Sequence, residues 1–218
     1  MDKNTENMLA GKPYRPGTPE LNRFSHLAHR LCRDYNLTTD EDTVEREMII
    51  DRLFPQHDDG IYLQGPIHID YGRFTKIGKN FYANFNFTIL DTCPVTIGDN
   101  VMCGPNVSII TAMHPLMYQQ RNIRQQADGQ FDDVEYGKPV TIGDNCWLAS
   151  NVTVCPGVTI GNGCVIGAGT VVTKDIPDNS LVLGVPGKVI RPITEKDRLE
   201  NFPYAVCKIK LEKIKSHL

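Results

Sequence analysis

The run Gly137-Lys138-Pro139-Val140-Thr141-Ile142-Gly143-Asp144-Asn145-Cys146-Trp147-Leu148-Ala149-Ser150-Asn151-Val152-Thr153-Val154-Cys155-Pro156-Gly157-Val158-Thr159-Ile160-Gly161 decides the fold. Ile142, Leu148, Val154 and Ile160 stand six apart, and the series continues to Ile166 and Val172 without a polar interruption. Working outward, the tetrad Ile-Gly-polar-Asn/Gly begins at Ile77, Ile97, Ile142 and Ile160, and stepping by six from Ile97 gives Cys103 and Ile109. Four positions on from these lies a second series of small or apolar residues: Val101, Val107 and Met113, then Cys146, Val152, Val158, Cys164, Thr170 and Ile176. An α-helix cannot use this pattern, because a six-residue step turns it through about 600° and the stripe would wander around the axis. Short strands joined by tight turns can use it. One aliphatic side chain points inward per strand, Gly or Asn takes the positive-φ corner, and three sides make one coil of a triangular prism. Coils stack in parallel, so Ile142 is expected on Ile160, Leu148 on Ile166 and Val154 on Val172. A sandwich of separate strands would show turn signals every 8 to 12 residues, which the six-residue period does not.

The phase breaks between Met113 and Ile142, where a polar, Gln-rich and charged segment, residues 114–139, is expected to extrude from one corner of the prism. Repeat folds place such insertions on their functional face, and a loop this long in a compact domain is generally functional. Ahead of the prism, helical periodicity from Pro19 to Leu53 puts Leu21, Phe24, Leu27, Ala28, Leu31 and Tyr35 on one face and Val44, Met48, Ile49 and Leu53 on another. Two helices are therefore expected to cap the open end and cover its strand edges. The expected organisation is a helical cap over 1–58, a β-helix over 59–193 and a basic amphipathic helix over 194–218, the last carrying Lys208, Lys210, Lys213 and Lys215.

Composition narrows the function. The 218 residues carry 23 Lys plus Arg against 26 Asp plus Glu, so no global charge directs the chain to nucleic acid or an anionic membrane. The polar start and the lack of a long apolar run predict no leader and no membrane span, hence a cytoplasmic protein. Seven cysteines, an odd number without a CxxC pair, argue against a disulfide framework or a zinc ribbon.

Several segments, taken in order, resemble the maltose and galactoside O-acetyltransferase family: Met8-Leu9-Ala10-Gly11-Lys12-Pro13-Tyr14, Asp70-Tyr71-Gly72, Asn80-Phe81-Tyr82-Ala83-Asn84-Phe85-Asn86, Thr111-Ala112-Met113-His114-Pro115, Gly137 through Trp147, and Gly184-Val185-Pro186. The resemblance runs from about residue 8 to 193. It implies a left-handed coil, against the right-handed rule for parallel crossovers, and a homotrimer with active sites between subunits. It further implies transfer of an acetyl group from acetyl-CoA to a hydroxyl of a sugar or similar polyol in a ternary complex, with no metal.

That chemistry needs a base for the acceptor hydroxyl and donors for the oxyanion. His114, where the regular coil gives way to the loop, fits the base. By resemblance Asp70 and Asn84 line the acceptor pocket, with Asp91 a further candidate. Trp147, Ser150, Ala168, Thr173, Lys174 and Arg191 lie nearest coenzyme A, the last two as cations for its nucleotide phosphates. The bland alternatives are corner chemistry for Asp70 and Asn84 and solvated surface charge for Lys174 and Arg191. The family also uses an acid after its N-terminal Gly-Lys segment, whereas Tyr14-Arg15-Pro16-Gly17-Thr18-Pro19-Glu20 holds no Asp, which leaves the acceptor's identity open. A cysteine nucleophile is a rival, with Cys93 and Cys155 not excluded by repeat position. A γ-type carbonic anhydrase would want three His around zinc, and only His68 and His114 lie in the repeat region. Two further alternatives are a hexapeptide acetyltransferase for an antibiotic or amino-acid hydroxyl and a non-catalytic trimeric scaffold.

Overall fold

The computed structural model describes residues 1–201. Three parallel sheets form the sides of a prism. The first contains Gln56–His57, Thr75–Ile77, Val95–Ile97, Val140–Ile142 and Thr159–Ile160. The second stacks Tyr62–Leu63, Tyr82–Ala83, Met102–Cys103, Trp147–Leu148, Val165–Ile166 and Ser180–Leu183, with Lys188–Pro192 added antiparallel at its edge. The third contains Ile67–Ile69, Phe87–Leu90, Ser108–Ile110, Thr153–Val154 and Val171–Val172. Register is as the repeat requires: Ile142 pairs with Ile160, Leu148 with Ile166 and Val154 with Val172. All six are buried.

The corners explain the Asn and Asp spacing. Seven asparagines, Asn80, Asn86, Asn100, Asn106, Asn145, Asn151 and Asn179, sit at φ between 52° and 60°, the left-handed region that Asn tolerates better than most residues. At the first corner their amides form a ladder, Asn80 donating to Asn100 at 3.0 Å and Asn100 to Asn145 at 3.2 Å. Carboxylates and amides of each coil also accept backbone N–H groups of the coil before it: Asp99 from Lys79, Asp144 from Asp99, Asn162 from Asp144 and Asp178 from Asn162, each at 2.8 Å. A second ladder, Asn86 to Asn106 to Asn151, runs up the second corner.

The third corner differs. Eight residues separate Ile69 from Ile77 and Ile89 from Ile97, against six along the other sides. Thr111 is the last buried residue before the chain leaves for its long excursion. Met113 does not continue the inward series. It is only half-buried, and Ala112–Met113 pairs antiparallel with Tyr136–Gly137 to form the base of the loop. Strand stacking resumes undisturbed beyond it, with Val140–Ile142 on Val95–Ile97 and Thr153–Val154 on Ser108–Ile109.

Helix α1 spans Lys3–Leu9, α2 Pro19–Leu37 and α3 Thr43–Leu53. In α2, Thr18 caps and Pro19 supplies a preset φ at the first turn, and Leu21, Ala28, Leu31, Cys32 and Tyr35 face inward. In α3 the expected face is rotated. Val44 and Met48 are 68% and 56% exposed, while Arg46, Ile49, Ile50 and Leu53 are buried. Tyr35 stacks under the Arg46 guanidinium at 5.0 Å, and Arg46 pairs with Asp40; one buried cation is thus accommodated by a π face and a carboxylate. The cap satisfies edge backbone groups of the prism, Asn36 donating to Ile67 O and accepting from Ile67 N, and Tyr35 donating to Leu63 O at 2.6 Å. α1 was not among the expected helices. The expected tail begins with two short 3-10 turns, Glu195–Asp197 and Leu199–Asn201, and the remainder, with Lys208 to Lys215, lies outside the described residues.

Two expectations test the corners. Asn145→Ala loses both an amide partner and a residue tolerant of φ 58°, and should destabilise the protein by about 1–2 kcal/mol in denaturant unfolding, with Asn145→Gly closer to wild type. At the third corner Asp91 is fully buried and accepts from Tyr71 N at 2.8 Å and Thr75 Oγ1 at 3.0 Å. Burial pushes its carboxyl up to about 7, the hydrogen bonds only partly offsetting it. The native state therefore keeps a proton that the unfolded chain releases at about pH 4, so this group's contribution to stability falls as pH rises from about 4 through 7. The melting temperature of Asp91→Asn minus that of wild type should become more positive between pH 5 and pH 8. A constant difference would show that Asp91 does not titrate there.

Candidate active site

The third corner gathers the chemistry. His114 is the residue at which the loop departs, and its side chain is 48% exposed. Its Nε2 lies 3.8 Å from Glu135 Oε1, an ion-pair rather than a hydrogen-bond distance. Glu135 was not found by sequence reasoning, since it sits inside the aperiodic loop 21 positions downstream of His114. Its other oxygen accepts from the Tyr14 hydroxyl at 2.5 Å, and Tyr14 and Glu135 also exchange backbone hydrogen bonds at 2.9 and 3.0 Å. Burial raises the Glu135 carboxyl above its usual range, with Tyr14 and His114 pulling it down. Tyr14 itself is buried, and burial beside Glu135 pushes its phenol up, so it remains a donor. The N-terminal segment is strapped further along the loop by Arg15, which donates to Asp132 at 3.0 Å, Asp128 at 2.5 Å and Gln130 at 3.1 Å.

Asp70 lies at the same corner, half-buried, 3.6 Å from His29 Nε2 on α2. Burial raises its carboxyl and His29 opposes the shift. Together they face a cavity of about 360 Å³ that also takes in Arg33, Asn36 and His68. Asp91, expected to line the acceptor pocket, does not reach solvent; it fastens the corner above Tyr71.

Asn84 is elsewhere. It lies at the second corner, before the strand Phe87–Leu90, whereas the third corner lies beyond that strand's far end. The four-residue strand Phe87–Leu90, about 10 Å long at 3.3 Å per residue, separates the two corners. Its Oδ1 accepts from Phe85 N at 2.7 Å, which leaves Nδ2 free to donate outward. One chain therefore does not bring Asn84 and His114 together.

A groove of about 620 Å³ runs along this second corner, lined by Gly104, Pro105, Trp147, Ser150, Val165 and Ala168 among others. Three of the residues expected near coenzyme A, Trp147, Ser150 and Ala168, thus share one groove, and its floor is kept open by small residues. Trp147 is 48% exposed. Thr173 and Lys174 lie exposed just beyond the strand Val171–Val172, outside the groove, and among the described residues Lys174 makes no ion pair. Arg191, also exposed, is not free: Asp197 takes its guanidinium in a bidentate pair at 2.6 and 2.8 Å.

The outward positions of the second sheet form a continuous apolar row in register: Tyr62, Tyr82, Met102, Trp147, Val165 and Leu181. The matching row on the first sheet is Lys76, Thr96, Thr141 and Thr159. Six described cysteines are buried or half-buried, and burial raises every one of their thiols, those of Cys32 and Cys146 to about 11. Cys93 is fully buried against Met8 O at 3.1 Å. A thiolate nucleophile is thus disfavoured at Cys93 and at Cys155, the two positions that the repeat had left open.

Comparison with known proteins bears on most of the chain. Residues 7–58 match the family model of the maltose acetyltransferase hexapeptide capping motif, and residues 139–174 that of the bacterial transferase hexapeptide of six repeats. A galactoside O-acetyltransferase of Escherichia coli strain K12 is 39% identical over 194 residues, covering 89% of this chain and 91% of its own. The crystal structure of a maltose O-acetyltransferase from Clostridium difficile 630 superposes with a TM-score of 0.82 at 42% identity, covering 89% of this chain and 99% of that one. A galactoside acetyltransferase in complex with coenzyme A gives the same TM-score, 0.82, at 38% identity, over 90% and 94% of the two chains.

Proposed function

The chain belongs to the maltose and galactoside O-acetyltransferase family, and from that premise we propose that it moves an acetyl group from acetyl-CoA to a hydroxyl of a sugar or similar small polyol, with His114 as the general base. The observation that carries the reading is the chain of contacts from His114 through Glu135 to Tyr14. It joins a base at the mouth of the loop to an acid oriented by a segment 121 positions away, an investment that a scaffold would not require. In the reaction the imidazole takes the acceptor proton as its oxygen bonds to the thioester carbonyl carbon. The carbonyl oxygen becomes an oxyanion, the C–S bond then breaks, and coenzyme A leaves as thiol once protonated. Glu135 stabilises the imidazolium by charge, across 3.8 Å. Tyr14 holds Glu135 in place.

The donor fits the second-corner groove, with Trp147, Ser150 and Ala168 along the pantetheine arm, while Thr173 and Lys174, at the third corner beyond Val171–Val172, reach it from a neighbouring copy, Lys174 supplying charge to the nucleotide phosphates. Arg191 contributes less, because Asp197 already neutralises it. The separation of Asn84 from His114, and the apolar row on one prism face, are both met if copies pack side by side so that the second corner of one faces the third corner of the next. A closed homotrimer does this. Asp70 and the partner-supplied Asn84 amide then bound the acceptor site. The protein works in the cytoplasm on this reading.

Kinetics of thiol release from acetyl-CoA test the roles. His114→Ala should lower kcat by roughly 10² to 10⁴ while the acetyl-CoA KM stays nearly constant. Lys174→Ala should do the reverse, raising the acetyl-CoA KM far more than the acceptor KM. Near-normal turnover in His114→Ala, or a burst of acetyl-enzyme with acetyl-CoA alone, would overturn direct attack assisted by His114. Sedimentation equilibrium should report three times the 24.4 kDa chain mass, and a monomer at micromolar concentration would rule out the shared site.

A further inference from the structure

Where the loop returns to the prism, three groups converge. A ring nitrogen of His114 and carboxylate oxygens of Asp133 and Glu135 all lie within 4.8 Å of one another. Their engagements differ. Glu135 is committed to Tyr14 and His114. The neighbouring loop acids Asp128 and Asp132 are both neutralised by Arg15. Asp133 is half-buried, its backbone N donates to Asp132 Oδ1 at 3.0 Å, and among the described residues its carboxylate has no hydrogen bond or ion pair. A half-buried carboxylate beside the base, with its lone pairs unspent, calls for donors from outside the chain. In the stretch from Tyr14 to Pro19 the N-terminal strap offers a guanidinium and no carboxylate, so the unspent acid facing His114 comes from the loop.

We infer that Asp133 is a specificity-determining residue for the acceptor. It accepts hydrogen bonds from the hydroxyl or ammonium group adjacent to the hydroxyl that His114 deprotonates. With Glu135 and Asp70 nearby, it makes the site favour neutral or cationic hydroxylated acceptors and reject acceptors carrying a carboxylate or phosphate, since like charges would then face one another beside half-buried carboxylates. This rests on the O-acetyltransferase reading above.

The test measures kcat and KM for wild type, Asp133→Asn and Asp133→Ala with acetyl-CoA and three acceptors of one ring size: glucose, glucosamine and glucuronate. A hydrogen bond to a charged group supports a loss of about tenfold or more in acceptor affinity. Asp133→Ala should therefore raise the glucose KM about tenfold, with the acetyl-CoA KM unchanged. Asp133→Asn, which keeps the shape and removes the charge, should cut the preference for glucose over glucuronate about tenfold and weaken any preference for glucosamine. Melting temperatures like that of wild type show that both variants fold. If wild type is active and both variants keep its acceptor KM and its glucose-to-glucuronate ratio, Asp133 is a solvated surface charge and the inference fails alone. If wild type releases no thiol with any polyol, the O-acetyltransferase reading fails and takes the inference with it.

Discussion

Everything in this molecule depends on the backbone of each coil being paired with the coil above and below it. A six-residue side leaves room for two or three paired residues and one corner, so the corner must turn sharply and still satisfy its own N–H groups. Asparagines in the left-handed region make the turn, and Asp or Asn side chains from the next coil accept the exposed N–H groups. Close stacking at those corners also explains the glycines of the tetrads. A Cβ on Gly98 would lie 2.2 Å from Asp144 Oδ1, and one on Gly143 would lie 2.6 Å from Asn162 Oδ1. The aliphatic column inside and the polar ladders outside are therefore two faces of a single geometric requirement.

The site exploits the one corner where the ladder changes. There Asp91 and Thr111 take over the accepting role, receiving Tyr71 N and Cys93 N from the coil before. The coil can then carry extra residues without losing its satisfied backbone. The same corner receives the N-terminal strap, with Met8 O against Cys93 Sγ and Tyr14 against Glu135. Orientation of Glu135 toward His114 and docking of the cap are thereby coupled. Loss of Tyr14 would disturb the acid behind His114 and the seating of the loop together.

The prism was legible because its signal is periodic: Ile97, Cys103 and Ile109, and then the run from Ile142 to Val172, stand six apart and are all buried, whereas Met113 of the second series is not. The cap was legible as helices, but the face of α3 was not. Val44 and Met48 fit a helical stripe as well as Ile50 does, and only the position of Tyr35 and the prism edge decides which stripe is covered. Of the candidate site, His114 is singled out in the sequence by its place at the phase break. Glu135 and Asp133 carried no signal, since a carboxylate in a polar loop looks the same whether it faces a base or water. The partners of Asp91 are the Tyr71 N–H and the Thr75 hydroxyl of the preceding coil rather than an acceptor, a role that the eight-residue spacing at this corner points to once those extra residues are counted.

The register across the excursion has a consequence for the loop. Ile97 pairs with Ile142 as faithfully as Ile77 pairs with Ile97, although 45 positions intervene in one case and 20 in the other. The register of the coils does not depend on what lies between Met113 and Tyr136, provided the two ends meet as an antiparallel pair at Ala112–Met113 and Tyr136–Gly137. Changes of length or sequence within the excursion can thus vary the groups presented beside His114 without shifting the coils that build the groove at the second corner.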